Sequence, residues 1–335
     1  MKRILFWFAV PCVLFFAIRG TGETWWKVYF TSPGSVNAAN TPKAGIIQAI
    51  QNSKKTFYGA FFEISSPEII DALVAAKKRN VDVRLVTDGD YFNSAGVERL
   101  MRVQIPVVPD QNKAFMHNKF AVIDGSGVWT GSFNLTENCS LRNNNNAILI
   151  NSHELAQIYH AEFMEMFQDK IFGNRKDEKP FADAEKRYHV KIGDTDINAY
   201  FSPEDKIERI IVHRLQKAKK SVHFMAFSFT SDKIAEMMIA KHKEGVPIYG
   251  IFEKKGSDDK YSQYVKMKIE GLPVKIDNNK FFMHHKVIII DEVRVITGSY
   301  NFSKSANKKN DENILIIDNK DIAADYLKEF YRLYK

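Results

Sequence analysis

Two stretches of nine residues decide the fold: MHNKFAVID, residues 116–124, and MHHKVIIID, residues 283–291. Each is followed by a second short run, TGSFN at 130–134 and TGSYN at 297–301. The second copy lies 167 residues after the first, so the chain is written twice. Outward from these runs, residues 46–88 match 211–253 at an offset of 165. Ile46, Ile47, Ile50, Lys54 and Lys55 fall on Ile211, Val212, Leu215, Lys219 and Lys220, and TFYGAFFEI (56–64) falls on SVHFMAFSF (221–229).

Aromatic and β-branched runs of this length, each following a basic-ended helical stretch, read as buried strands. Residues 67–80 and 232–245 read as amphipathic helices, and 81–86 and 246–252 as the strands after them. Residues 147–150 and 314–317 give a further strand, and helices over 153–172 and 320–333 close the halves. This order predicts an α/β sandwich with a largely parallel sheet in each half. Two such domains, 23–172 and 196–335, are joined by a polar linker over 173–195. A fused dimer of this kind is expected to pack about a pseudo-two-fold axis, bringing the paired motifs together in a monomer.

Alternation along a strand sends His117 and Lys119 to one face, and likewise His284 and Lys286. The Gly131-Ser132 and Gly298-Ser299 turns then read as phosphate-oxygen cradles, with Asn134 and Asn301 as neutral donors. Each half thus offers a base or nucleophile, a fixed cation and a donor set. Facing halves would place one histidine on each side of a phosphorus, as in-line displacement requires. A lone His-x-Lys is usually a solvated pair; the duplication reverses that reading.

The formal net charge of +8 favours an anionic partner without choosing between nucleic acid, phospholipid or another phosphate ester. Hydrophobic residues at 45% and charged residues at 26% exclude wholesale disorder. Lys2 and Arg3 precede an apolar run from Ile4 to Ile18, too short for a spanning helix. Residues 1–22 therefore read as a signal peptide or membrane anchor, with a secreted, periplasmic or outward-facing anchored location. The cysteines, Cys12 and Cys139, have no zinc-type spacing.

The duplicated His-x-Lys-x4-Asp…Gly-Ser-x-Asn motif resembles that of the phospholipase D superfamily, the HKD phosphodiesterases, over nearly all of the chain after residue 22. The resemblance implies that His117 attacks phosphorus to form a phosphohistidine, while His284 protonates the leaving oxygen and then activates water. Lys119, Lys286, Asn134 and Asn301 would hold the non-bridging oxygens. Ser132 and Ser299 would support them, with Asp124 and Asp291 structural at the strand ends. No metal or other cofactor is implied. The family often carries an acid about 28 residues after the motif histidine that orients an imidazole; Glu312 stands there in the second half, Asn145 in the first. Unequal basicity of the two histidines is the consequence.

The motifs do not choose the diester. Minimal halves without long insertions resemble the small bacterial endonuclease members, which favours a nuclease. The alternative is a phospholipase D acting on phosphatidylcholine or cardiolipin at a membrane; a phosphatidyltransferase and a non-catalytic binding module are weaker readings. His285 is expected to pack or face solvent. Lys254, Lys255, Lys304, Lys308 and Lys309 follow strand ends or motif turns and are candidate contacts to a substrate backbone, or plain surface lysines.

Overall fold

A computed structural model of the chain describes residues 24–34, 39–181 and 187–335. The leader expected over residues 1–22 lies outside the described residues. Among the described residues no helix is long and apolar enough to cross a membrane.

The first half runs β1 (Trp26–Phe30), α1 (Pro42–Asn52), β2 (Thr56–Phe61), α2 (Pro67–Lys78), β3 (Asp82–Thr87), α3 (Ala95–Arg102) and β4 (Val107–Pro109). It continues with β5 (Lys119–Ile123), β6 (Gly127–Gly131), α4 (Glu137–Leu141), β7 (Asn146–Asn151) and α5 (His153–Phe167). The second half opens on β8 (His189–Ile192) and β9 (Thr195–Ser202), then α6 (Ile207–Gln216), β10 (Val222–Ala226), α7 (Asp232–Lys243) and β11 (Ile248–Phe252). It ends with α8 (Tyr264–Ile269), β12 (Val274–Ile276), β13 (Lys286–Ile290), β14 (Arg294–Gly298), α9 (Lys304–Lys308), β15 (Glu312–Asp318) and α10 (Lys320–Leu333).

Two mixed sheets result, ordered β1-β7-β6-β5-β2-β3-β4 and β12-β11-β10-β13-β14-β15-β9-β8. Only β2–β3–β4 and β10–β11–β12 pair in parallel. The remaining pairs are antiparallel, which corrects the expectation of a largely parallel sheet. The reason is local. The motif strand β5 turns straight back into β6 through Asp124 and Gly125, with φ of 52° and 65°, and Asp291 and Glu292 repeat the turn at 55° and 60°. A hairpin that short admits only antiparallel pairing.

Asp124 also locks this corner. Its carboxylate accepts the N–H groups of Lys54 at 2.8 Å, Lys55 at 2.7 Å and Thr56 at 2.9 Å. Asp291 does the same for Lys219, Lys220 and Ser221. Both lie far from the histidine ends of their strands.

Strand periodicity sorts the packing. Ala121 and Ile123 face a core under α1 and α2, and Ile288 and Ile290 face its counterpart under α6 and α7. Phe120, Val122, Val287 and Ile289 point the other way, into a third core shared by both sheets, which α5 and α10 complete. The motif strands thus lie back to back across one apolar seam. Bridges between Met116 and Asp311 and between Asn144 and Met283 bind their starts together.

Two boundaries differ from expectation. Helix α5 stops at Phe167 rather than 172, and Lys170 is left-handed at φ 58°. The segment over 173–195 is more than a polar linker: β8 extends the second sheet beside β9, and Lys176 is buried among carboxylates of both halves. Its charge is partly ion-paired inside the protein.

Candidate active site

His117 and His284 each stand two residues before the lysine that opens a central strand, at the same edge of the seam. Lys119 is fully buried and Lys286 nearly so. The Lys119 ammonium donates to the His117 carbonyl at 2.7 Å, and Lys286 donates to the His284 carbonyl at 2.8 Å. Among the described residues no carboxylate lies within 4.0 Å of either ammonium, although each sits over an aromatic ring, Phe62 at 5.2 Å and Phe227 at 4.7 Å. Burial pushes Lys119 down to about 8 and Lys286 well below the ordinary lysine range, Lys286 also being opposed by Lys119. Two buried cations with no carboxylate in direct contact, and Glu312 acting on both from further away, are the arrangement expected of a site for an anion.

The histidines share this field. Burial, then Lys119 and Lys286, hold His117 well below its usual value; burial, Lys286, Lys119 and His117 do the same to His284. Groups of both halves therefore act on each ring, and the two motifs form one cleft.

The imidazoles are oriented across the seam. Nδ1 of His117 lies 2.8 Å from Oε2 of Glu312, a residue of the other half. Nδ1 of His284 donates to Oδ1 of Asn145, from the first half, at 2.9 Å. Asn145 is fixed because its Nδ2 donates to the carbonyls of Cys139 and Asn143 at 3.2 and 3.3 Å. Each ring thus has Nδ1 engaged, and the His117 ring also meets the Ser299 backbone. Burial raises Glu312 to about 8 against the opposing pull of Lys119, Ser299 and Lys286. The carboxyl and the His117 ring are in direct hydrogen-bond contact. His284 has only an amide.

The glycine-serine turns take a different part from the one expected. Ser132 N–H is bound to Asn146 O and Ser299 N–H to Asn313 O, both at 3.0 Å, so neither is open to a phosphate. Their hydroxyls instead brace the orienting residues: Ser132 donates to Asn145 Oδ1 at 3.1 Å, and Ser299 hydrogen-bonds Glu312. The glycines permit this closeness, since a Cβ would stand 2.4 Å from Asn146 O at Gly131 and 2.2 Å from Asn313 O at Gly298. The carboxamide oxygens of Asn134 and Asn301 are buried and have no hydrogen-bond partner among the described residues.

The asparagine run 143–146 reaches across to the second half. Asn144 O accepts His284 N–H at 2.9 Å, and Asn146 Nδ2 lies 2.9 Å from Nδ1 of His285. The equivalent run 310–313 returns the favour: Asp311 O accepts His117 N–H at 2.9 Å, and Asn313 Nδ2 donates to Asn118 at 2.8 Å. His285 is fully buried against Glu329, a packing residue as expected.

Sequence reasoning missed the rings around the cleft. Phe62 and Phe227 stand edge-on to His117 and His284 at 5.0 and 4.6 Å, and Phe115 and Phe282 pack on them at 5.4 and 5.6 Å. Their recurrence at the repeat offsets was the available signal; reading the strands as core hid it.

Paired His-Lys sets brought together on a duplicated α/β sandwich are the arrangement expected of a phosphodiester-processing enzyme. Residues 46–167 and 211–334 each match the family model described as cardiolipin synthase, PLD-like domain, and the chain belongs to that family. It is a phosphoric diester hydrolase of the phospholipase D superfamily. Similar proteins include the phospholipase D of Rickettsia prowazekii (strain Madrid E), 30% identical over 41% of this chain and 67% of that one. The mitochondrial cardiolipin hydrolase of Xenopus laevis is 34% identical over 32% of this chain and 52% of that one. The phosphatidylserine synthase of Haemophilus influenzae Rd KW20 shares the fold, with TM-score 0.69 and 16% identity over 90% of this chain and 85% of that one.

Proposed function

We propose that the protein is a nuclease that cleaves single-stranded nucleic acid without a metal, through a phosphohistidine on His117. Attack by Nε2 of His117 forms the P–N bond as the P–O bond to the leaving group breaks, and His284 gives its proton to the departing oxygen. His284 then takes a proton from water as that water displaces His117, leaving a phosphomonoester. Lys119 and Lys286 supply the charge that a divalent ion supplies elsewhere, balancing the pentavalent phosphorus, and they depress the histidines' proton affinity less once the anion is bound. The amide partner suits His284 to the acid role, because a weakly stabilised imidazolium releases its proton readily.

The observation carrying the nuclease reading is the pseudo-symmetry of the rim. Phe115 recurs as Phe282, exposed Lys113 as exposed Lys280, and Arg142 as Lys309. Rings and cations on both sides of the scissile phosphorus suit a polymer with a base and a phosphate on each side. The names of the similar phospholipase D and cardiolipin hydrolase chains favour a second reading, phospholipid head-group hydrolysis.

Purified protein is assayed side by side on single-stranded DNA, duplex DNA, RNA, phosphatidylcholine and cardiolipin, with excess chelator, alongside His117→Ala and His284→Ala. Cleavage of single strands that survives chelation and is lost in both variants supports the proposal. Lipid turnover without nucleic-acid cleavage would replace it with the second reading.

A further inference from the structure

The halves present matching reacting groups but unlike walls. Asp88 and Glu253 are structural equivalents: they accept the N–H groups of Met116 and Met283 at 2.9 and 2.6 Å. Two residues on, Asp90 N–H and Lys255 N–H bond back to them at 3.0 and 2.9 Å. The correspondence therefore places Tyr91 opposite Gly256. In the first half the Tyr91 ring lies 4.9 Å from Phe62 and fills the space beside the His117 wall. In the second half a Cβ on Gly256 would meet nothing within 4 Å. A cavity of about 400 Å³ stands there, with Phe227, Phe282, Tyr261, Thr230 and Lys255 in its lining.

The cavity opens beside the reacting centre, because Phe227 is the ring that packs on His284. Charge changes with shape. Glu63 and Asp90 of the closed wall become Ser228 and Lys255 in the open one, and Lys255 Nζ sits 5.5 Å over the Phe282 ring. The two carboxylates of the lining, Glu253 and Asp259, are engaged by the backbone N–H groups of Met283, Lys255 and Tyr261, so the free charge at the rim is that of Lys255, which disfavours a choline or ethanolamine group. Aromatic walls with a few hydroxyls accept a flat heterocycle, and the lysine accepts its phosphate.

We propose that this cavity is the subsite for the nucleobase of the departing nucleoside, whose oxygen takes the proton of His284. The inference rests on the nuclease reading and deepens it by giving the strand a direction. The next phosphate lies towards Lys255, and the acidic wall of Glu63 and Asp90 discourages the reverse placement.

The test is inhibition of bis(p-nitrophenyl) phosphate hydrolysis by AMP, ribose 5-phosphate and dihexanoyl phosphatidic acid, with oligonucleotide cleavage followed in parallel. Base stacking predicts that AMP inhibits about tenfold more tightly than ribose 5-phosphate in the wild type. Gly256→Tyr, which brings a ring to the open side at the cost of a left-handed φ of 81°, and Phe282→Ala, which removes a ring without straining the backbone, should each bring that ratio near one. Equal inhibition by AMP and ribose 5-phosphate in the wild type overturns the subsite even if oligonucleotides are cut. Phosphatidic acid inhibiting more tightly than AMP, with that preference lost in Phe282→Ala, overturns it in favour of an acyl chain. A base preference that disappears in both variants, with no oligonucleotide cut, upholds the subsite and removes the strand-cleavage reading instead.

Discussion

Glu312 and His117 lie 195 positions apart in sequence, yet their side chains meet at 2.8 Å across the seam between the halves. The carboxylate therefore serves the histidine of the opposite motif, and the reciprocal place beside His284 belongs to Asn145. Neither half holds a complete, oriented histidine by itself.

Glu312→Gln should keep the ring in place but remove the charge that stabilises an imidazolium or phosphohistidine on His117. A kcat loss on the order of 10²- to 10⁴-fold is expected. Asn145→Asp acts on the other ring. A carboxylate there raises the proton affinity of His284, moving the alkaline limb of the kcat profile up by about 1 to 2 pH units. The pH–rate profiles of both variants are the measurement, and an alkaline limb that stays put in Asn145→Asp would remove the acid role from His284.

Lys119 is fully buried with no carboxylate in ion-pair contact among the described residues, and burial pushes its ammonium down to about 8 from 10.5. Between those values the unfolded chain holds a proton that the folded chain has released, so this group makes stability rise with pH over that window. Below pH 8 both states are protonated and the penalty is fully present. Lys119→Met should therefore raise the urea midpoint at pH 7, by about 1 to 4 kcal/mol in stability, and abolish turnover. The gain should shrink at pH 9.5, and inorganic phosphate should raise the Tm of the wild type alone. Unfolding curves that coincide with the wild type at both pH values would show that the buried charge is already compensated.

The two aspartates of the motif call for the opposite result. Asp124 accepts three successive backbone N–H groups at the turn before β2, well away from the histidines. Asp124→Ala should lose about 2 kcal/mol of stability, as expected for charge-assisted hydrogen bonds, while the folded fraction keeps its kcat. Active-site titration combined with urea unfolding separates these. A large fall in kcat per folded molecule would give Asp124 a chemical role.

The repeat, the paired histidines and lysines and the corner aspartates were legible because each depends on residues within a few positions of one another. Periodicity placed Phe120 and Val122 on one face of β5 and Ala121 and Ile123 on the other. The pairing of Glu312 with His117 was not legible, since offset arithmetic relates equivalents within a chain and is silent on which half they touch. Hairpin return at Asp124-Gly125 also escaped the pattern: short apolar strands look alike whether neighbours run parallel or antiparallel. Lys176 was hidden by composition, because an ion-paired interior and a solvated linker use the same residues.

That lysine yields the last prediction. Lys176 Nζ contacts Glu162, lies 3.3 Å from both Glu165 and Asp311, and 3.8 Å from Glu204, with its side chain 1% exposed. Burial pushes Glu162 up to about 8 and Asp311 to about 7 even with the ammonium present. Lys176→Met removes the cation and leaves the acids, a change that costs about 3 to 5 kcal/mol when they are ionised. An acid whose folded value is raised binds more protons folded than unfolded, so its stability contribution is lost as pH climbs from its unfolded value towards the raised one. The variant's deficit in urea midpoint should therefore be small at pH 5 and large at pH 8. Because Asp311 O also accepts His117 N–H, turnover by the folded variant should fall as well, with Lys176→Arg restoring much of both. An equal deficit at the two pH values would mean that lost packing, rather than unpaired carboxylates, explains the effect.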